Sequence, residues 1–271
     1  MMKEKKIILL GQEGMLGQMV NRYFIDKGFQ IKTCPVRFDP QHLDAFIHFI
    51  SETDGVIINA IGKIKQKTND INDLLFVNTI LPSVILENLK PGHIFINPST
   101  DCVFDGKKGE AYMISDPPNV LDAYGWSKRL AEVNLKDRAQ VLVPRVSIIG
   151  LDSKPDPKGL LGWFMKNPGR SILNGFTNHY WNGITTLEWC KQIHQMIENS
   201  CYPEQNIFQL GTRESYTKYE MLKLFNQVWK KDITIEKFEQ AEAVDRRLMP
   251  EIICKPLPDQ LLEMKNFWDE N

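Results

Sequence analysis

The sequence predicts an α/β fold built on a doubly wound parallel sheet, followed by a smaller carboxyl-terminal lobe. Three observations carry that expectation. Short apolar runs rich in β-branched residues, without polar alternation, are the mark of strands buried on both faces, and here they alternate with longer helix-like segments. The first such run leads directly into a glycine-rich turn that opens a helix. The pattern then breaks at "LDSKPDPKG" after Gly150, a proline-bearing loop beyond which the elements become shorter and less regular.

In chain order, "KIILL" is the first strand and is followed by a helix from Met15 to Lys27. "FQIKTC" is the second strand, followed by a helix from Gln41 to Ser51. "GVIINA" is the third, with a helix from Asn72 to Leu89 after it. "HIFINPS" is the fourth, then comes a helix carrying Tyr124, and "QVLVPR" is the fifth strand. The later part is expected to hold helices near Leu187 to Glu198 and Lys218 to Trp229. This places a cofactor-binding domain in residues 1–150 and a substrate-binding lobe in 151–271, with elements free to interleave across a soft boundary.

At 271 residues the chain can bury a substantial core without a disulfide or metal staple. Its formal net charge of -1 gives no global attraction to nucleic acid or to an anionic membrane. Cys34, Cys102, Cys190, Cys201 and Cys254 are scattered and odd in number, against a disulfide framework or zinc cluster. The five histidines show no metal-ligand spacing, so no metal is expected. The apolar run near the amino terminus is too short for a signal-peptide core or a membrane span. The expected setting is a reducing cytoplasm and the expected partner a small molecule or a protein, with a homodimer left open.

Gly11, Gly14 and Gly17 form a G-x-x-G-x-x-G loop. Glycines there permit a tight turn and a close approach of phosphate to backbone, while the helix that follows offers free N–H groups and partial positive charge. A Rossmann-type dinucleotide site follows; Glu13 must then point to solvent, because a carboxylate beside a pyrophosphate is repulsive. At the fourth strand's end, "NPSTDCVFDG" puts Ser99, Thr100 and Asp101 at the mouth of the crevice where doubly wound sheets bind ligands. Read alone, that cluster is equally a helix cap and turn. Tyr124 and Lys128 are four residues apart, on one helical face; an isolated pair of this kind is more often a lysine stem lying on a ring.

The glycine loop, "NPSTDCVFDG" and "YGWSK" together resemble the extended short-chain dehydrogenase/reductases, and more narrowly the dTDP-4-dehydrorhamnose reductase branch, which reduces 4-keto groups of nucleotide-linked deoxysugars. The resemblance implies a catalytic set of Thr100, Tyr124 and Lys128. It also implies NADPH or NADH contacts at Gly11, Gly14, Met15, Leu16 and Gly17, at Asn59, Ala60 and Ile61 after the third strand, at Asn78, and at Tyr124 and Lys128 themselves, with Lys128 holding the nicotinamide ribose. In place of the branch's usual Asn-Ala-Ala-Ala-Tyr-Thr, this chain reads "NAIGKIKQK".

A ketone receiving hydride develops negative charge on oxygen and needs a proton donor, here Tyr124, and a second donor, here Thr100. A lysine cation ~4 Å from the phenol at an effective dielectric of ~20 favours the phenolate by ~4 kcal/mol, which brings the pair towards neutrality before desolvation. After the second strand, Arg37 and Asp39 are both placed to meet the adenosine end; acid favours NADH and arginine NADPH, and the lean is to NADPH. Substrate contacts are expected at Thr100, Asp101, Val103 and Phe104, and in the second lobe at Trp163 and at Arg247 or its neighbour Arg246. Trp163, Phe164, Phe176, Tyr180 and Trp181 line a pocket or form the lobe's core; Lys63, Lys65 and Lys67 meet a diphosphate or are solvated.

The function expected is reduction of a nucleoside-diphosphate 4-keto-deoxysugar for a surface polysaccharide. The alternatives are a sugar-nucleotide epimerase and a non-catalytic cofactor-binding regulatory subunit. Dehydration is disfavoured, since Cys102 stands where dehydratases of this kind carry a glutamate.

Overall fold

The computed structural model describes residues 6–66, 68 and 70–270, so Lys67 lies outside the described residues. The first half runs β1 (Lys6–Leu10), α1 (Met15–Asp26), β2 (Gln30–Thr33), α2 (Leu43–Ser51) and β3 (Val56–Asn59). It continues with α3 (Ile71–Leu75), a wide π turn (Phe76–Ile80), α4 (Leu81–Glu87), β4 (Ile94–Ile96), a single 3-10 turn (Asp101–Val103), α5 (Ala123–Leu135) and β5 (Val141–Arg145). The expected helix from Asn72 to Leu89 is therefore interrupted. Pro82 lacks an N–H, and its ring crowds the carbonyl four residues back, at Asn78, so the ladder widens there into a π turn.

The second half adds β6 (Ile148–Ile149), α6 (Gly159–Lys166), β7 (Ile172–Phe176), β8 (His179–Trp181), β9 (Ile184–Thr185) and α7 (Thr186–Asn199). Then come β10 (Ile207–Thr212), β11 (Tyr216–Thr217), α8 (Lys218–Trp229), β12 (Thr234–Phe238), β13 (Val244–Asp245), β14 (Ile252–Cys254) and α9 (Leu257–Glu270). No helix among the described residues is long and apolar enough to cross a membrane.

Seven parallel strands form the main sheet in the order β14-β10-β5-β4-β3-β1-β2. Two of them, β10 and β14, come from beyond Gly150, so the later chain both completes the sheet and builds a lobe above it. The lobe contains a small sheet ordered β11-β8-β13 and the pairs β12-β7 and β6-β9. One apolar core includes Ile7, Leu9, Val20, Phe24, Trp189 and Phe208; a second, centred on Ile8, Leu10, Phe46, Ile57, Phe95 and Val143, includes alternate residues of the same strands. Alternation along β1 therefore divides its side chains between two buried layers, as a doubly covered sheet requires.

The strand order reverses at β1 and β3. Crossovers run to one side toward β2 and to the other toward β4, so the connections diverge and leave a crevice at the strands' carboxyl ends. Gly11, with φ +83°, ends β1 there, and a Cβ on it would lie 2.8 Å from the Ile61 backbone nitrogen. A Cβ on Gly17 would lie 2.0 Å from the Gly11 carbonyl oxygen. Gly17→Ala is accordingly expected to destabilise the protein by about 2 kcal/mol or more, because the neighbour is backbone and cannot yield cheaply. Denaturant unfolding of the variant checks this; wild-type stability would show that the loop rearranges at no cost.

Candidate active site

A cleft of about 380 Å³ opens at the reversal point of the sheet. One wall is the glycine loop and the start of α1, with Gly14, Met15 and Leu16. Its floor is the end of β3, from Asn59 through Ile61 into the loop carrying Lys63 and Lys65. The facing wall is Pro98 to Cys102 after β4, with Tyr124 and Lys128 from α5, and Ser147 to Gly150 and Leu160 complete the rim.

The glycine wall suits a dinucleotide. Gly14 caps α1 in extended conformation with no side-chain cap, so the N–H groups of the first helical turn face the cleft without a protein oxygen at the cap position. A Cβ at Gly14 would meet its nearest atom only at 3.5 Å, whereas Gly11 and Gly17 have no such space; Gly11 and Gly17 form the turn, and Gly14 with Met15 and Leu16 lines the cleft. Glu13 is exposed, which removes the expected conflict with an anionic ligand. Asn59 and Asn78 are buried, and their amides are engaged within the protein. Asn59 donates to Asn97 Oδ1 at 2.8 Å and accepts from the Ile61 N–H at 3.1 Å. Asn78, lifted by the π turn, donates to the Lys63 carbonyl at 2.8 Å and Ser127 Oγ at 2.9 Å and accepts the Lys63 N–H at 2.9 Å. Both act as clamps on the loop after β3, a role that spacing could not reveal.

Thr100, Tyr124 and Lys128 come together on the opposite wall. Asp122 caps α5 by accepting the Gly125 N–H at 2.8 Å, which fixes the helix start at Ala123, one residue before Tyr124. Gly125 is required there, since a Cβ would lie 2.3 Å from the Cys102 carbonyl oxygen. Lys128 donates from Nζ to the Pro98 carbonyl at 2.6 Å. Burial pushes the Tyr124 phenol well above its ordinary range, and the charges of Cys102, Asp101 and Asp122 add to the rise; only the facing Thr100 hydroxyl favours the phenolate. The expected shift towards neutrality is thus reversed: desolvation wins, and the Lys128 ammonium is turned to a backbone carbonyl. Burial also lowers Lys128, to about 8, against the Glu132 carboxylate, which raises it.

Asp101 lines the cleft, its carboxyl raised by burial while the Arg246 charge and the Thr100, Cys102 and Ser147 side chains pull it down. Cys102 also lines it; burial and the neighbouring Asp101 push its thiol up to about 12, so it stays protonated at neutral pH. Val103 and Phe104 turn the other way. Both are fully buried in a small cluster with Tyr112 and Leu248, and the Phe104 ring stacks on Tyr112 at 4.2 Å. What Phe104 offers the site is its carbonyl, which accepts Arg246 Nε at 3.0 Å.

Other expected positions lie away from the cleft wall. The Arg37 side chain is 87% exposed, 3.9 Å from Asp39, which itself engages His42 at 2.8 Å. Trp163 is 43% exposed and is not among the residues that line the cleft. Arg247 is held by Asp245 at 2.5 and 2.7 Å and stacks on Tyr180, whereas Arg246 approaches Cys102 Sγ at 3.9 Å. Of the two arginines the geometry brings Arg246 to the site. The aromatics divide: Phe164 is core, while Phe176 stands beside His179 at 4.7 Å and beneath Lys218 at 5.3 Å. Of the loop lysines, Lys63 pairs with Asp73 and Lys65 lies 3.5 Å from Asp122.

Sequence reasoning missed Lys218, Ser147 and the buried pair of Glu132 and Arg145, and placed Ser99 at the crevice mouth without its tie to Glu132. Glu132 carried a signal, since it lies one turn beyond Lys128 on the same helix face. Arg145 closes an apolar strand and gave none.

A family model described as the RmlD substrate binding domain matches residues 5–250. No curated protein sequence matches the chain. Among solved structures, the dTDP-4-dehydrorhamnose reductase of Bacillus anthracis in complex with NADP superposes with a TM-score of 0.80 at 17% identity, covering 99% of this chain and 100% of that one. The Clostridium acetobutylicum dTDP-4-dehydrorhamnose reductase gives 0.79 at 17% identity, over 97% and 99%. The UDP-glucose 4-epimerase of Thermotoga maritima gives 0.75 at 15%, over 98% and 99%. At such identities the likeness is one of fold. With the glycine loop, the paired wall motifs and a match across most of its length, the chain belongs to the RmlD substrate binding domain family, within the extended short-chain dehydrogenase/reductases.

Proposed function

We propose that the protein is an NAD(P)H-dependent reductase of the 4-keto group of a nucleoside-diphosphate deoxysugar, supplying a precursor of surface polysaccharide. The observation that carries this reading is the facing of two walls across one cleft: a glycine turn shaped for a pyrophosphate, and Thr100, Tyr124 and Lys128 opposite it. The structural neighbours, a dTDP-4-dehydrorhamnose reductase in complex with NADP and a UDP-glucose 4-epimerase, agree with a nicotinamide cofactor and a nucleotide-sugar substrate.

When bound, the nicotinamide supplies the hydride. Gly14, Met15 and Leu16 would hold the pyrophosphate with backbone N–H groups, and Lys128 the ribose next to the nicotinamide. The phenol of Tyr124, kept protonated by burial, gives its proton to the oxygen on which charge develops, and the Thr100 hydroxyl holds that oxygen. Cys102 is a poor base, its thiol titrating only at about 12, which separates this site from a dehydratase needing an additional acid or base. For cofactor preference, Arg37 extends into solvent and meets Asp39 only at 3.9 Å while Asp39 is engaged by His42 at 2.8 Å, an arrangement in which the guanidinium can turn to a 2′-phosphate and which supports NADPH.

The small sheet of the lobe supports a place for the substrate's diphosphate. Thr217 and Val244 pair with the two sides of β8, so Lys218 and Arg246 follow the flanking strands. Neither forms an ion pair with a carboxylate within 4.0 Å among the described residues, and burial followed by the charges of Lys65 and Arg246 lowers Lys218. Two cations converging beside the single carboxylate of Asp101 suit a diphosphate, with the sugar reaching Thr100 and Tyr124.

Exchangeable cofactor that is oxidised on adding a 4-keto sugar nucleotide establishes the reductase; a tightly retained nicotinamide with no net turnover would make the protein an epimerase instead. Tyr124→Phe should keep the fold and cofactor affinity and lower turnover by roughly two to four orders of magnitude. In the wild type, kcat/KM for reduction should be flat from neutral pH and fall above about 8, as Lys128 loses its charge while Tyr124 stays protonated. A steady rise through that range would contradict the assignment of both groups.

Arg246→Ala should raise the KM for sugar nucleotide by about tenfold or more and leave that for cofactor unchanged, while Arg247→Ala changes both little. Equal effects from the two variants would reject Arg246 as the diphosphate contact. Arg37→Ala is expected to weaken NADPH binding by roughly tenfold and NADH hardly at all; titration with each cofactor decides it, and equal losses would remove the preference.

A further inference from the structure

Beneath Lys128 lies a buried polar network that takes no direct part in the chemistry above. Glu132 is fully buried on α5. Its Oε1 accepts from Ser99 Oγ at 2.6 Å and from Arg145 Nε at 2.7 Å, and its Oε2 from Arg145 Nη2 at 2.9 Å and Arg129 Nη1 at 3.0 Å. Ser99 adjoins Pro98, whose carbonyl receives the Lys128 ammonium. On the other side of Pro98, Asn97 is tied to Asn59 at 2.8 Å and through its N–H to the Leu142 carbonyl at 2.9 Å. The Pro98 carbonyl is thus held from both flanks, by β3 and β5 on one side and by α5 on the other.

We propose that Glu132 is a positioning residue for Lys128: through Ser99 it fixes the carbonyl that receives the ammonium, and from one turn along the same helix face it opposes that charge with its own. The proposal rests on the reading of Lys128 as part of the catalytic set. A purely structural pair would need only a carboxylate and one guanidinium, and buried pairs of that kind are often replaceable by apolar residues without loss of stability. Here the carboxylate also takes a serine that leads to the lysine's acceptor.

The elements around Lys128 carry Tyr124, Arg129 and Glu132 on α5, Arg145 on β5, Asp101 and Cys102 after β4, and Lys63 after β3. Of these the Glu132 carboxylate is the charge that favours protonated Lys128, against a burial that lowers it. Removing that carboxylate leaves the burial of Lys128 unopposed, so the lysine gives up its proton at lower pH.

The test is competitive labelling of the full-length protein with an amine-acylating reagent across a pH series, read at Lys128 by peptide mass spectrometry without any turnover. The wild-type midpoint is expected at about 8. Glu132→Gln should lower it by roughly half a unit or more, and the alkaline limb of kcat/KM should move with it. Ser99→Ala keeps the ion pair, and there the labelling rate of Lys128 at fixed pH should rise severalfold as its acceptor loosens. A wild-type midpoint in folded Glu132→Gln overturns the proposal; if that variant does not fold, wild-type labelling in Ser99→Ala overturns it. Wild-type turnover in Lys128→Met would instead sink the catalytic reading and leave the labelling result standing.

Discussion

The pairing of β1 with β3 is the constraint on which the site depends. Leu10 lies opposite Asn59, so the two strands end together and deliver Gly11 and Ile61 to the same point. A side chain on Gly11 would collide with Ile61, and one on Gly17 with Gly11 itself. The turn can therefore close only if both positions lack a Cβ, and closing it aims the first turn of α1 into the crevice. The same strand end carries Asn59, which reaches across to Asn97 and so couples this wall to the opposite one.

That opposite wall is organised by a single face of α5. Tyr124, Lys128 and Glu132 recur every four residues, and they pass from the cleft into the interior: the first is partly exposed, the last has no exposed surface. The gradient sets the chemistry. At the inner end a carboxylate can remain ionised only because guanidinium groups from α5 and β5 and the Ser99 hydroxyl surround it, and together they hold it below the usual carboxylate range although burial acts the other way. At the outer end the phenol has no such compensation, and burial keeps it protonated.

The strands and the glycine loop were legible because they rest on local signals, period and turn chemistry, whereas the Thr100, Tyr124 and Lys128 set came from the family resemblance, one-turn spacing alone leaving the Tyr124 and Lys128 pair open. What escaped depends on long-range register or on burial. Arg246 and Arg247 are neighbours, and which one reaches Cys102 is decided by how β13 pairs with β8. Val103 and Phe104 read as part of a ligand motif, yet the 3-10 turn that ends at Val103 sends both side chains into the core. The ionisation of Tyr124 was misjudged because a sequence displays charges and conceals desolvation. The places of β10 and β14 in the main sheet come from pairings with strands at least forty residues away or across an intervening helix, which no window of local pattern contains.

The π turn at Phe76–Ile80 has a bearing on chain length. A π turn holds one more residue than the α turn it replaces, so the segment from Ile71 to Glu87 carries a stored residue. Removing one residue there would let the segment close into a continuous α-helix, with every side chain before the deletion turned by about 100° relative to those after it. Ser127 and the Lys63 backbone would then face a different side chain in place of the Asn78 amide. The helix length is thereby coupled to the floor of the cleft: a deletion that regular helix geometry would absorb without strain is one that the loop after β3 cannot accept.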